Sequence, residues 1–301
     1  MFALLVVEGL IEASGLSVGT KLPTPYLRER EPDLVIAFKY HPKSGRPIPY
    51  IPASSWVGVL RHLLEKYYNL PANIPRLVRA RKIIAPIHEC ENENDKLKCP
   101  VCKLFARRDV VAWFDDAEPE GAEYTITIRG AQVEIRNEQG ALVAIVFLKD
   151  EVTIPREVDR IQIPVGAIPG ISGDDTIGAE KIMREGWRLE PIPRRVQQVS
   201  GIFTINAKFD ISRLSVSDIR PFFIGLALLE DYYVGRRGTR GYGRIKIGNI
   251  RIKIRGPAYY EGTDGEIEIK LPEDARTPRG ILKQWQLVEQ KILEAIKKLT
   301  K

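Results

Sequence analysis

IFTINAKFDI at residues 202–211, with SRLSVSDIRPFFIGLALLEDYYV (212–234) and GRRGTRGYGRIKIGNIRIKIRG (235–256) behind it, decides the fold. In the first piece apolar and polar residues alternate, the period of a strand with one buried face. In the second the period lengthens. Ile219, Phe222, Phe223, Leu226, Leu229 and Tyr233 share a helical face, and Ser215 or Ser217 can cap a helix over 215–233. The third piece opens on glycines and arginines and closes on two β-runs, IKIGNI and RIKIRG. Strand, helix, tight loop and strand make half of a sheet backed by helices.

Toward the N-terminus the same half recurs. Residues 2–13 read as a strand, LVIAF at 34–38 as a short buried strand before the turn HPKSGRP, and DVVAWFD at 109–115 as another strand. SSWVGVLRHLLEKYY at 54–68 is a helix, with Ser54 or Ser55 as N-cap and Trp56, Leu60, Leu63, Leu64 and Tyr67 at helical spacing. The skeleton β, α, β, insertion, β, α, β predicts an α+β fold with a ferredoxin-like (RRM-like) βαββαβ core. Two insertions interrupt it. An irregular one over about 70–108 holds all three cysteines, and one over about 117–200 carries β-type runs and a Gly/Pro-rich stretch at 164–175. Pro278 opens an amphipathic helix, so 276–301 is a C-terminal helix and 1–301 a single domain.

Composition narrows the class. Of 301 residues 44% are hydrophobic, enough for a sizeable core, and no run of 18 apolar residues exists to form a membrane-spanning helix. The start, MFALLVVEGLIEASGL, carries Glu8 and Glu12 without a basic flank and reads as a strand, not a signal peptide. Three cysteines have the wrong parity for a disulfide framework, which points to a reducing cytoplasm. A net charge of +7, from 46 Lys+Arg against 39 Asp+Glu, is moderate, so the placement of the charge matters more than its sum. Basic residues gather at Arg236, Arg237, Arg240 and Arg244, at Arg76, Arg79, Arg81 and Lys82, and at Arg194 and Arg195. Abundant Lys, Arg and Glu with 21 prolines suit a heat-adapted source.

Three motifs carry chemistry. His88-x-Cys90-x8-Cys99-x2-Cys102 supplies three thiolates and an imidazole, the donor set of a closed structural zinc site. Gly235–Arg244 joins glycines, which let backbone amides approach phosphate, to arginines that fork onto phosphate oxygens. It lacks the Lys-Ser/Thr ending of a nucleotide-binding P-loop, and taken alone it is equally a glycine-rich turn. Ile51–Arg61 places Ser54 and Ser55 at a helix start, where hydroxyls and free amides suit an anion, with Arg61 beside them.

Together and in this order the motifs resemble the CRISPR repeat-associated RAMP superfamily. IPASSWVGVLR is similar to its IPGSSLKGxLR segment, CPVCKLFA to its C-x-x-C-x-LFG segment, and GRRGTRGYGRI to its G-x-x-x-RGYGR loop. Gln198–Phe203 resembles its EVPAGTxF strand entry, and the match runs over about residues 5–250. The nearest likeness is to the backbone subunit of type III (Csm/Cmr) effector complexes. Val57 stands where the family has lysine and Ala106 where it has glycine.

The resemblance implies binding of guide (CRISPR) RNA and target RNA through Ser54, Ser55, Arg61, Arg236, Arg237, Arg240, Tyr242 and Arg244. It further implies self-association into a filament beside other RAMP subunits and a large subunit, and a thumb within 117–200. It implies cleavage of target RNA by an aspartate with Mg2+ or another divalent metal. Asp33, in EPDLVIAF before IPASS, occupies that place, with Glu31 and Glu29 a short alignment slip away. An aspartate can hold a metal or take the 2′-hydroxyl proton; it can equally be a surface acid, which leaves a non-catalytic RNA-binding scaffold or filament cap as the alternative. A metal-independent processing RNase would need a histidine such as His62, or His41 in its turn.

Overall fold

The strand Leu4–Leu16 takes the middle of an antiparallel sheet because Leu5, Val7, Ile11 and Ala13, every second residue, are apolar and buried on one face. The computed structural model describes residues 2–16, 18–21, 34–40, 47–73, 77–78, 82–83, 87–105, 110–120, 125–129, 132–136, 140, 142–152, 194–235 and 242–299. Arg194–Asp210 pairs along one side of the central strand and Arg244–Arg255 along the other, both antiparallel. Ala112–Phe114 and Glu118–Pro119 extend the sheet beyond the C-terminal half of Arg194–Asp210, and Glu266–Ile269 closes the far edge on Arg244–Arg255. The expected β-runs IKIGNI and RIKIRG are one strand, bent by a bulge where the register jumps from Glu8↔Arg251 to Leu10↔Gly248.

The 117–200 region prolongs this same sheet in its described part. Leu142–Val152 pairs with the N-terminal half of Arg194–Asp210, and Gln132–Arg136 and Thr125–Arg129 follow outward, all antiparallel.

Two helices back the sheet. Ala53–Tyr67 buries Trp56, Leu60 and Leu64, and Arg220–Glu230 buries Phe222, Phe223, Leu226 and Leu229. They approach closely at Gly225, where a Cβ would stand 2.6 Å from Leu60 Cγ. An aromatic series runs from Trp56 through Phe114, Phe209, Phe222 and Phe223 to Trp285, with successive ring centroids 5.1–6.0 Å apart. It ties the first helix to the C-terminal segment, which is two helices, Pro278–Lys283 and Trp285–Leu299. No helix of the described residues is long and apolar enough to cross a membrane.

Two expectations about helix starts are corrected. The first helix begins at Ala53 with Pro52 as its N-cap, so Ser54 and Ser55 lie inside the first turn and cannot cap it. The helix expected over 215–233 is a 3-10 turn, Val216–Ile219, then Arg220–Glu230 with Pro221 in its first turn. Ser215 does hold its start, its N–H and Oγ donating to Asp218 Oδ2 at 2.8 and 2.6 Å.

Candidate metal centre and nucleic-acid interface

His88, Cys90, Cys99 and Cys102 converge. Their ligand atoms lie within 4.8 Å of one another, and all but the half-buried Cys90 are buried. Asn92 caps the short helix Glu93–Lys98 by accepting the Asp95 N–H, which lets the polar spacer turn back so that Cys99 meets Cys90. His88 Nδ1 faces the Pro71 carbonyl at 2.9 Å, fixing Nε2 toward the sulfurs, 3.3 Å from Cys90 Sγ and 3.5 Å from Cys99 Sγ. Backbone amides turn the same way: Cys102 N–H donates to Cys99 Sγ and Cys90 N–H to Cys102 Sγ. The Cys102 side chain, with the Cys102 and Val101 amides and His88, holds the Cys99 thiol down to about 4 against the effect of burial. Cys102 is pushed up by its bond with Cys99 and by burial, and burial raises Cys90. Three sulfurs and one imidazole nitrogen fit a metal such as zinc, and a four-ligand set leaves no open position for chemistry.

The cluster is clamped to the first helix and to the 3-10 turn that leads into the second. Arg61 Nε donates to Glu65 Oε1 at 2.9 Å, Nη1 to the Phe105 carbonyl and Nη2 to the His88 carbonyl, while the same Glu65 oxygen accepts the His88 N–H. Lys103 Nζ reaches Asp218 Oδ2 at 2.6 Å on the second side. Arg61, read as an RNA contact, is thus engaged inside the protein through all three of its nitrogens. The i, i+4 spacing of Arg61 and Glu65 was the signal that could have found this.

The helix start also has an internal anion. Asp116 Oδ1 accepts the Ala53 N–H at 2.9 Å, and Lys39 Nζ lies between Asp116 Oδ2 at 3.4 Å and Glu118 Oε1 at 2.6 Å. Neither Asp116 nor Lys39 stood out in the sequence. Ser54 is exposed and Ser55 half-buried. Ser54, Gly58, Arg61 and His62 line a cavity of about 370 Å³ whose far wall includes Leu104 and Phe105 of the cysteine segment. His62 Nδ1 stands 4.0 Å from Glu65 Oε2.

The glycine-rich loop is pinched at its root. Val234 N–H donates to the Gly243 carbonyl and Gly243 N–H to the Gly15 carbonyl, seating the loop on the end of the first strand. Gly243 has φ +74°, and a Cβ there would lie 2.2 Å from the Val234 oxygen, so only glycine fits. Tyr242 is half-buried and Arg244 is exposed at the start of its strand. Asp33, Glu29, Glu31, His41, Arg76, Arg79, Arg81, Arg236, Arg237 and Arg240 lie outside the described residues.

The sequence profile of the RAMP superfamily matches residues 39–246, a span holding the first helix, the cysteine cluster and the glycine-rich loop. The chain belongs to the RAMP superfamily. Two relatives bear the name CRISPR system Cms endoribonuclease Csm3. That of Methanocaldococcus jannaschii is 40% identical over 264 residues, covering 86% of this chain and 84% of the relative. That of Methanothermobacter thermautotrophicus is 27% identical over 219 residues, covering 73% and 75%. These relatives make the chain a RAMP protein of the CRISPR type III effector branch. A chain of a crystallised Csm3–Csm4 subcomplex of the type III-A CRISPR-Cas interference complex aligns with a TM-score of 0.45 and 18% identity over 95% of this chain and 96% of that one. A type III-B Cmr-β complex bound to cognate target RNA gives 0.44 and 14% over 83% of this RAMP chain and 60% of its counterpart.

Proposed function

We propose that this RAMP protein is a backbone subunit of a type III CRISPR RNA-guided effector complex, binding guide RNA and cleaving target RNA through Asp33 with Mg2+ or another divalent ion. The observation that carries the reading is 40% identity, over 86% of the chain, to a relative named an endoribonuclease of this system. The strand order supports a ferredoxin-like core: Arg244–Arg255, Leu4–Leu16, Arg194–Asp210, then Ala112–Phe114, is the 4-1-3-2 arrangement of a βαββαβ sheet. In this reading the cysteine segment forms a zinc-bearing lid and the 117–200 region a thumb. Guide RNA runs over the glycine-rich loop, with Arg236, Arg237, Arg240, Tyr242 and Arg244, toward Ser54 and Ser55. Other RAMP subunits, a large subunit and further copies of the chain are its partners in the cytoplasm.

The test is a complex assembled on guide RNA with Asp33→Ala in this subunit. Loss of target cleavage with binding retained is the expected result; cleavage at the same sites removes the catalytic assignment. Charge-neutral replacement of Arg236, Arg237 and Arg240 weakens guide binding and flattens its salt dependence, since each lost phosphate contact lowers the slope. Unchanged affinity would reduce the loop to a turn.

A second reading, a non-catalytic scaffold or filament cap, is favoured by the helix start: Val57 stands in the lysine position, Arg61 is engaged internally and Asp116 takes the first free amide. It predicts one copy per complex by native mass spectrometry.

A further inference from the structure

The face of the sheet turned away from the two helices carries a trough of about 640 Å³, within the range of small-ligand sites. Asn206, Glu8 and Arg251 form one row across three strands, Asn206 and Arg251 both standing opposite Glu8. The next row is Thr204, Leu10 and Gly248. Between the rows lies the bulge, where Asn249 takes a left-handed φ of 50°. Bulges of this kind re-aim side chains beside sites. At one edge the Ile250 N–H bonds the Arg276 carbonyl, bringing Arg276 to the trough; at the other the Glu120 N–H bonds the Ile202 carbonyl, bringing Glu120.

The wall is chemically mixed, and part of its capacity is unused. Asn206 Oδ1 is sealed from solvent and has no hydrogen-bond partner, which costs roughly 1–3 kcal/mol for a buried polar atom. A half-turn of the amide exchanges Oδ1 with Nδ2, so the trough can be offered acceptor or donor. Glu8 is already neutralised, with Arg251 Nη2 at 3.3 Å and Lys253 Nζ at 3.0 Å. Glu120 has no ion pair among the described residues, and Arg276 is exposed. The site therefore pairs an available carboxylate, an amide and a guanidinium over the half-buried Leu10.

We infer that this trough binds a guanine nucleotide of single-stranded RNA. Guanine is the base that offers two adjacent donors, N1–H and N2–H2, which a carboxylate accepts, and two adjacent acceptors, O6 and N7, onto which a guanidinium forks. The trough holds the complementary groups in Glu120 and Arg276, with Asn206 between them. The inference rests on the RNA-binding reading, but the site lies on strands and edges separate from the glycine-rich loop and the helix start, so the two fail separately.

The test is calorimetric titration of the full metal-loaded chain with GMP, AMP, CMP and UMP, and competition against GMP by an octauridylate carrying one guanine. GMP saturates and binds about tenfold tighter than UMP, the effect of one paired set of base contacts. The guanine-bearing octamer displaces it. Glu120→Gln and Asn206→Leu each remove the preference; the first leaves the melting temperature where it was, and the second, which also removes the unpartnered buried oxygen, does not lower it. Equal binding of all four nucleotides, or saturation by none, overturns the site. GMP binding that the octamer cannot compete overturns its assignment to an RNA strand. Loss of guide-length RNA binding in the Arg236, Arg237 and Arg240 variant leaves the GMP titration unchanged.

Discussion

Arg61→Met separates a structural arginine from an RNA-binding one. The Arg61 and Glu65 side chains are 15% and 6% exposed, so their ion pair is held away from solvent. Removing the guanidinium leaves the Glu65 carboxylate with the His88 N–H and a distant His62, and strips donors from the His88 and Phe105 carbonyls. A buried charge deprived of its partner costs about 3–5 kcal/mol. The double variant Arg61→Met with Glu65→Leu removes both charges, leaving mainly an unpaired His88 N–H at roughly 1–3 kcal/mol. It is therefore more stable than the single variant, a coupling of about 2 kcal/mol between contacting residues. Urea unfolding of the metal-loaded chain reads the stabilities, and metal release to a chromogenic chelator reads the hold on His88. A single variant within about 1 kcal/mol of the parent and with normal metal retention refutes the clamp. If guide-RNA affinity falls in that stable variant, the guanidinium belongs to the RNA.

Three further outcomes follow from other parts of the structure. One metal ion per chain, zinc by elemental analysis, is expected at His88, Cys90, Cys99 and Cys102; chelation, or acid that protonates the thiolates, releases it and speeds hydrogen exchange across 87–105, and absence of metal removes the four-ligand site. Gly58→Ala meets no atom within 4 Å, so it stabilises the helix by about 1 kcal/mol while narrowing the cavity at Ser54; unchanged RNA affinity would mean that this helix face does not meet RNA. Burial pushes the Asp218 carboxyl up, but Lys103 and Ser215 outweigh it and hold it below the usual range, so its contribution is present above the ordinary carboxylate pKa and lost as pH falls through the lowered value. Lys103→Met flattens that acid limb in thermal melts, and an unchanged limb would show that the pair adds nothing.

What was legible in the sequence was whatever has a period. Alternation over 2–13 marked Leu4–Leu16, and over 202–211 it marked only the C-terminal end of Arg194–Asp210, whose start falls within the insertion expected over about 117–200. Helical spacing marked Ala53–Tyr67, and the clustering of every cysteine beside His88 marked the candidate metal site. What was not legible is set by pairing at a distance. Leu142–Val152 joins the main sheet because Ala144 stands opposite Gly201, and no local pattern says whether an inserted hairpin pairs with itself or with its host. Glu266–Ile269 is four residues with two acids, and it forms because Arg255 and Lys253 meet Glu266 while Ile267 and Ile269 stand opposite Ile254 and Ile252 at the edge of the core.

The same reason accounts for the two site residues whose surroundings went unread. A helix start with serines suggests an open anion site, yet the group that fills it, Asp116, is 63 residues away in the chain. An arginine one turn on suggests phosphate, yet besides Glu65 on its own helix its acceptors are the carbonyls of His88 and Phe105, 27 and 44 residues away. Both are cases of an anion or cation compensated from inside, which lowers the charge that this end of the molecule can offer to RNA. The loop 235–244 differs: its root is pinned to Gly15 by backbone bonds that use no side-chain charge. On the RNA-binding reading, sequence-independent affinity then concentrates in the arginines of that loop. The helix start contributes only when a phosphate displaces Asp116 and takes over Lys39, an exchange of one anion for another that adds positioning more than strength.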